Sequence, residues 1–566
     1  MARSKTTKDT DSSSTLLITE YFDSGDPRFY ETLLASTAAR KLQVFAPRWY
    51  ADRRKFARES LLQYIDDGCD RPHHRPVVKK IFKHAEAAAD HEVMAHFFIV
   101  LDRMAPRVLV PKRSRRRKAS PMVLRADPTL PAYRSEADRR GLFTIKTRRY
   151  LQRRVWRYFR QIGQADPTQY IAMVAPILAQ YTDAQFEPTH KVLDCWSLVH
   201  ALFWGNDALS REIDGARVRT GRSMSELTPQ PWNEPAWALS SSFAPLFALI
   251  LRGQSALVRN VALYLIKRYH GPALRRVPLE QIVALLKSTH TQAQTLSSEL
   301  LENAVGLERF TLTEWLELLQ IDNPYALPVL CRLAARHIDS SDITLEQCVA
   351  LTCTRAAPVA ELGLRWLRAQ TPRSTADLEL LMQLRNAPAD IVRGPATEWL
   401  LGLLESSDFA RVEHVRELGD SKHADVRERV IQLLSTGGRF ADDPSLWSAL
   451  GESPYDDVRA FLMRHLAARL DAFTPQTLQH LWATVLLSVH RGSRTKQAVL
   501  KQLSTLIVIE PDRAESIVPL LAIALRSVRA PERRGALAAL TQAVYKNTSI
   551  GPVVAKHLPE LQFAGA

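Results

Sequence analysis

Leu418-Gly-Asp-Ser-Lys-His-Ala-Asp425-Val426-Arg427 reads as the end of one helix, a polar turn and the start of the next. Val430, Ile431, Leu433 and Leu434 follow at helical spacing and give the second helix an apolar face. The same sentence recurs downstream. Ser453-Pro454-Tyr-Asp-Asp457-Val458-Arg459 runs into Phe461, Leu462 and Leu466. Upstream, Ala387-Pro388-Ala-Asp390-Ile391-Val392-Arg393 runs into Trp399 and Leu400, and Leu257-Val258-Arg259 into Val261, Ala262, Leu265 and Ile266. Looser copies surround Pro358-Val359, Arg494 and Pro531-Glu532-Arg533-Arg534.

The spacing makes a repeat of these stretches. Arg393, Arg427, Arg459 and Arg494 stand 34, 32 and 35 residues apart. The span from Arg259 to Arg393 divides into four further steps of about 33, with units centred near Gln294, Pro328 and Glu361. Two helices per unit with a period in the thirties predict an α-solenoid. Each unit has an apolar face that only its neighbours can bury. The Asp and Pro at each turn are expected to cap and open the second helix. The Arg in its first turn is expected to bond an Asp of the adjacent unit and so hold the register. With its lone-Pro turn and Asp-Val-Arg element, 250–546 resembles the HEAT-repeat family. That resemblance implies a scaffold or binding surface and no catalytic residue. The expected fold is all-α: a right-handed α-solenoid of HEAT-like two-helix repeats, with a basic loop inserted in the N-terminal third.

The N-terminal half is helical but less regular. Arg28–Ala39, Arg53–Ile65, Val77–Ala89, His91–Met104, Pro167–Tyr181 and Lys191–Trp204 read as helices, with Pro47 interrupting a piece at Val44–Tyr50. No strands and no Asp-Gly hairpin are expected. The organisation reads as a flexible tail at 1–27, helical repeats at 28–110, a basic insertion at 111–141, irregular repeats at 142–250 and the regular array at 251–566. No secretory signal is expected from the polar N-terminus, and no run of about 18 apolar residues spans a membrane. Five cysteines in 566 residues fit a cytoplasmic protein with free thiols.

The formal charge of +16 is local. Residues 101–160 hold 19 Lys/Arg against 4 Asp/Glu, and the rest of the chain is nearly balanced. Lys112, Arg113, Arg115, Arg116, Arg117, Lys118, Arg139 and Arg140 form a basic arm, in a stretch broken by Pro111, Pro121, Pro128 and Pro131. Lys146, Arg148, Arg149, Arg153, Arg154, Arg157 and Arg160 then line a helix whose apolar face is Leu151, Val155, Tyr158 and Ile162. Clustered cations release counterions when they meet phosphates, so 112–160 is the expected contact for DNA, RNA or another polyanion. An acidic protein, or solvent alone, would fit the same charges. Anionic membrane is a weaker fit, because the helix's apolar face is better used against its neighbours.

Other chemistry reads weakly. His91 and His96 are five apart, whereas a zinc-protease helix needs four. Cys348 and Cys353 lack the spacing of a metal pair. Asp194, Trp196, His200 and Trp204 sit on an apolar segment that could wall a stacking site. No catalytic residue, metal or cofactor is expected. The expected function is a non-enzymatic scaffold with protein partners on its concave face and nucleic acid on its basic arm. The alternatives are a HEAT-like DNA glycosylase or other nucleic-acid-processing enzyme, and a pure protein–protein adaptor with a solvated basic loop.

Overall fold

A computed structural model describes residues 16–71, 73–104, 145–187, 189–212, 215–470, 473–487 and 493–561, and these are mostly helical. The basic arm with Lys112, Arg113, Arg115, Arg116, Arg117, Lys118, Arg139 and Arg140 lies outside them. No helix among the described residues is long and apolar enough to cross a membrane. The chain divides into two compact units, Met1–Leu307 and Glu308–Ala566, whereas the repeat pattern alone places the change near 250.

In the second unit the helices form two layers. Leu327–His337, Ala357–Leu367, Asp390–Ser406, Ala424–Thr436, Asp456–Ala468, Ser493–Ile509 and Ala530–Lys546 touch one another in that order. Val412–Gly419, Pro444–Gly451, Pro475–Leu487, Ala514–Leu525 and Gly551–His557 do the same beside them. Consecutive helices pair across the layers, as Val412–Gly419 does with Ala424–Thr436. The apolar stripes of the sequence are therefore buried on both sides, as with Val426, Val430 and Leu434.

One side chain at the fourth position of a helix recurs as a tie. Arg393 Nη1 donates to the Ala387 carbonyl at 3.2 Å, and its Nε to Asp425 at 2.9 Å. Arg427 Nη1 donates to the Ser421 carbonyl at 2.9 Å, and its Nε to Asp457 at 2.9 Å. Arg459 binds the Ser453 carbonyl in the same way. In the first unit Arg259 Nη1 reaches the Gly253 carbonyl at 2.7 Å and Nε reaches Gln292 at 3.0 Å, and Gln294 reaches the Ser288 carbonyl at 3.1 Å. Each acceptor lies six residues back, just past the preceding helix, whose last carbonyls lack intrahelical partners. The expected Asp partnership is present at Asp425 and Asp457. The expected capping is not: those helices begin after His423 and Tyr455, without a side-chain cap. Arg494 is also displaced as the marker. It is exposed, and Lys496, buried at the fourth position of Ser493–Ile509, faces Glu532 at 3.5 Å.

The first unit departs from its expected outline in four places. Within 1–27, residues 16–24 form a helix with Ile18 and Phe22 fully buried, and 1–15 lie outside the described residues. The helix Ala39–Ala51 runs through Pro47. Burial of Leu42, Phe45, Ala46 and Trp49 along it offsets the roughly 3 kcal/mol of an interior proline. Lys191–Trp204 is not one helix. A 3-10 turn at Thr189–Asp194 is followed by a new α-helix at Trp196–Leu202. Leu209–Glu212 pairs antiparallel with Gly215–Val218, the one sheet among the described residues. Gly215 pairs with Glu212 at the end of this ladder.

His74 supplies a pH prediction. It is fully buried, in a 2.9 Å hydrogen bond between its Nδ1 and the Tyr64 hydroxyl. Burial pulls its pKa down to about 4. The unfolded chain takes up a proton near about pH 6.5, before the folded one does. Stability present above that pH is therefore lost as pH falls toward 4, by about 3 kcal/mol in all. Urea midpoints from pH 7 to pH 4 should fall less steeply for His74→Gln than for the parent chain. Parallel profiles would sink the assignment.

Candidate polyanion-binding surface

The helix Ile145–Ala165 carries the described part of the basic segment, with Lys146 at its second position. Of the predicted apolar face, Leu151, Val155 and Tyr158 are buried and Ile162 is partly buried, and Trp156 and Phe159 are buried as well. The helix is thus packed on more than one side, which changes what its arginines can do.

Arg148 is 2% exposed. Its Nε donates to the Leu101 carbonyl at 2.6 Å and its Nη2 to the Asp102 carbonyl at 2.8 Å. Burial pulls its pKa below the ordinary range, with Asp102 acting against the shift and Arg149 adding to it. Arg149 is 7% exposed, 3.4 Å from the Asp194 carboxylate and over the Trp196 ring at 5.7 Å. Arg154 holds Glu86, with Nε to Oε1 at 3.1 Å, and lies over Phe82 at 5.5 Å. Arg160 lies over Trp204 at 5.3 Å and Trp232 at 5.8 Å. Arg148, Arg149, Arg154 and Arg160 are therefore used inside the fold rather than offered to a ligand. Arg153 is half-buried and Arg157 exposed, and neither is paired with a carboxylate among the described residues.

The aromatic segment is likewise turned inward. Trp196 stacks on His200 at 4.1 Å, and Trp156 lies edge-on to Trp232 at 5.7 Å. Trp156 Nε1, Trp196 Nε1, Arg149 Nε and Nη1, and Arg160 Nε are buried without an oxygen partner. They sit among ring faces, which take the place of part of a lost acceptor. A base-stacking platform would need those faces open.

Asp102 is the residue that the sequence reading missed. Its buried carboxylate accepts from Gln152 Nε2 at 2.8 Å, from the Tyr181 hydroxyl at 2.8 Å, and from the Ser197 and Leu198 amides at 3.0 and 3.1 Å. It thereby caps the helix Trp196–Leu202 from 95 residues away. Burial pushes its carboxyl above the ordinary range, with Arg148 and the donors pulling against it. The neighbouring Cys195 thiol is raised by burial and is a poor nucleophile at neutral pH. His91 bonds the Tyr158 hydroxyl at 2.6 Å and His96 the Asp66 carboxylate at 2.8 Å, so the two imidazoles serve different partners. Compared with protein-family models and with curated proteins, the chain matches none.

Proposed function

We propose that the chain is a non-enzymatic, cytoplasmic scaffold of HEAT-like helical repeats that forms a right-handed α-solenoid. It holds a protein partner on its repeat surface and contacts nucleic acid or another polyanion through its basic segment. The recurring tie supports the scaffold reading, because Arg259 and Gln294, and again Arg393, Arg427 and Arg459, stand 32 to 35 residues apart and each closes the end of the preceding helix through the carbonyl six residues back. The polyanion reading rests on charge: 105–144 contain 11 Lys/Arg against 3 Asp/Glu, and Arg153 and Arg157 add cations without carboxylate partners among the described residues. Arg148, Arg149, Arg154 and Arg160 leave the contact set, and the arm, Lys146, Arg153 and Arg157 remain. A base-excising enzyme draws no support from Asp194, which is paired with Arg149.

Fluorescence anisotropy with labelled single- and double-stranded DNA and RNA, titrated with salt, tests this. Full-length chain should bind with an affinity that drops by about 10³–10⁵ between roughly 50 and 200 mM salt, as six to ten phosphate contacts imply. A version lacking 111–141 should bind weakly with a flatter slope. No binding at about 50 mM salt would end the nucleic-acid reading.

A further inference from the structure

Arg75, Lys79 and Lys83 follow one another at four-residue steps on the helix Arg75–Ala87. Four residues advance a helix by about 6 Å and little more than one turn, so the three cations form a ridge. The opposite face, with Val77, Val78, Ile81, Phe82 and Ala85, is buried. Arg75 and Lys79 are half-buried and Lys83 is exposed, and none of the three is paired with a carboxylate among the described residues. Like charges four apart work against a helix. Burial and its two cationic neighbours push the Lys79 ammonium below its ordinary range. The ridge is thus a cost to the fold that a ligand of opposite charge would relieve.

The ridge continues onto a second helix. One turn beyond Lys83, Glu86 binds Arg154, and Arg154 Nη1 donates to the Tyr150 hydroxyl at 3.1 Å. Tyr150 is 46% exposed, and Arg157, one turn on from Arg154, is exposed. We infer that Arg75, Lys79 and Lys83, with Tyr150 and Arg157, form a binding surface for single-stranded nucleic acid, the cations on successive phosphates and the tyrosine ring on a base. This deepens the polyanion reading and rests on it. The row Arg75, Lys79 and Lys83 fits a ligand whose own charges are all of one sign, Glu86 beyond it being neutralised by Arg154, and an exposed ring beside it fits an unpaired base. An anionic membrane fits poorly, because the apolar face of this helix is already buried in the core and has nothing to insert.

The test uses the full chain and a labelled oligothymidylate of about 20 nucleotides, by anisotropy across about 50–200 mM salt. Removing three phosphate contacts in R75Q/K79Q/K83Q should lower affinity about 100-fold at roughly 0.1 M salt and flatten the log–log slope by about 2. The variant's thermal melt should match or exceed that of the parent, since like charges are removed, and the charge-conserving K79R/K83R should bind as the parent does. Tyr150→Leu should weaken binding to the single strand and leave duplex of the same length unaffected. Parental affinity and slope in R75Q/K79Q/K83Q, with loss on deleting 111–141, would overturn the ridge and leave the polyanion reading standing. A full chain that ignores the strand at about 50 mM salt would overturn both. Equal, ridge-dependent binding of a polyglutamate peptide would overturn the nucleic-acid assignment in favour of an acidic protein.

Discussion

Asp102→Ala should cost the first unit at least about 4 kcal/mol, since its carboxylate accepts from four buried donors, each worth about 1–3 kcal/mol when left unpaired. Whole domains are stable by only about 5–15 kcal/mol, so the unit should be largely unfolded or close to it at room temperature. The damage is shared among elements far apart in sequence. Gln152 lies on the basic helix, Tyr181 follows Pro167–Leu178, and Ser197 and Leu198 open the helix that stacks Trp196 on His200. Loss of near-UV circular dichroism from the buried tryptophans should therefore accompany the drop in urea midpoint. Asp102→Asn keeps one acceptor oxygen but turns an amide against donors, and should cost about 2–3 kcal/mol. A parental midpoint for Asp102→Ala would mean that these donors find other partners.

What could be read in advance follows the range of the interaction. The Asp-Val-Arg stretches could be read because helix start, turn and apolar stripe lie within about one period, and the Arg427–Asp457 bond joins two copies of the same motif. Lys496 was hidden behind Arg494 because the tie depends on where the helix begins, and a shift of two residues changes which cation points inward. The four inward arginines of Ile145–Ala165 show the same limit. Their spacing predicts a charged face, but Glu86, Asp194, Trp204 and Trp232, which meet that face, come from other segments. Asp102 carries no local signal at all. A carboxylate near the end of an apolar helix looks like a solvated terminus until Ser197, 95 residues on, is placed against it. The ladder of Leu209–Glu212 and Gly215–Val218 gives no strand signal, because Val218 is its one β-branched residue.

In the second unit the largest loss is expected from Arg427→Ala, at about 2–4 kcal/mol. The guanidinium is nearly buried. It binds the Ser421 carbonyl and Asp457, both at 2.9 Å, and lies over the Tyr455 ring at 3.9 Å. These contacts do not weigh equally. Asp457 is 42% exposed, so water can take over its half of the ion pair, and exposed pairs contribute only about 0–1 kcal/mol. The Ser421 bond stays dry, and a hydrogen bond from a charged donor contributes about 1.5–3 kcal/mol. A double-mutant cycle with Asp457→Ala should accordingly give a coupling below about 1 kcal/mol, with most of the Arg427 loss remaining when Asp457 is already alanine. Arg427→Lys should recover little, because an ammonium cannot reach the carbonyl and the carboxylate with one planar fork. A coupling as large as the whole loss would instead make the ion pair the tie, and the shared feature of Arg259, Gln294 and Arg459, the carbonyl six residues back, would then be incidental. The comparison decides whether successive helix pairs are held by closing each helix end or by charge between neighbours. Only the first explains why the neutral Gln294 occupies the same place.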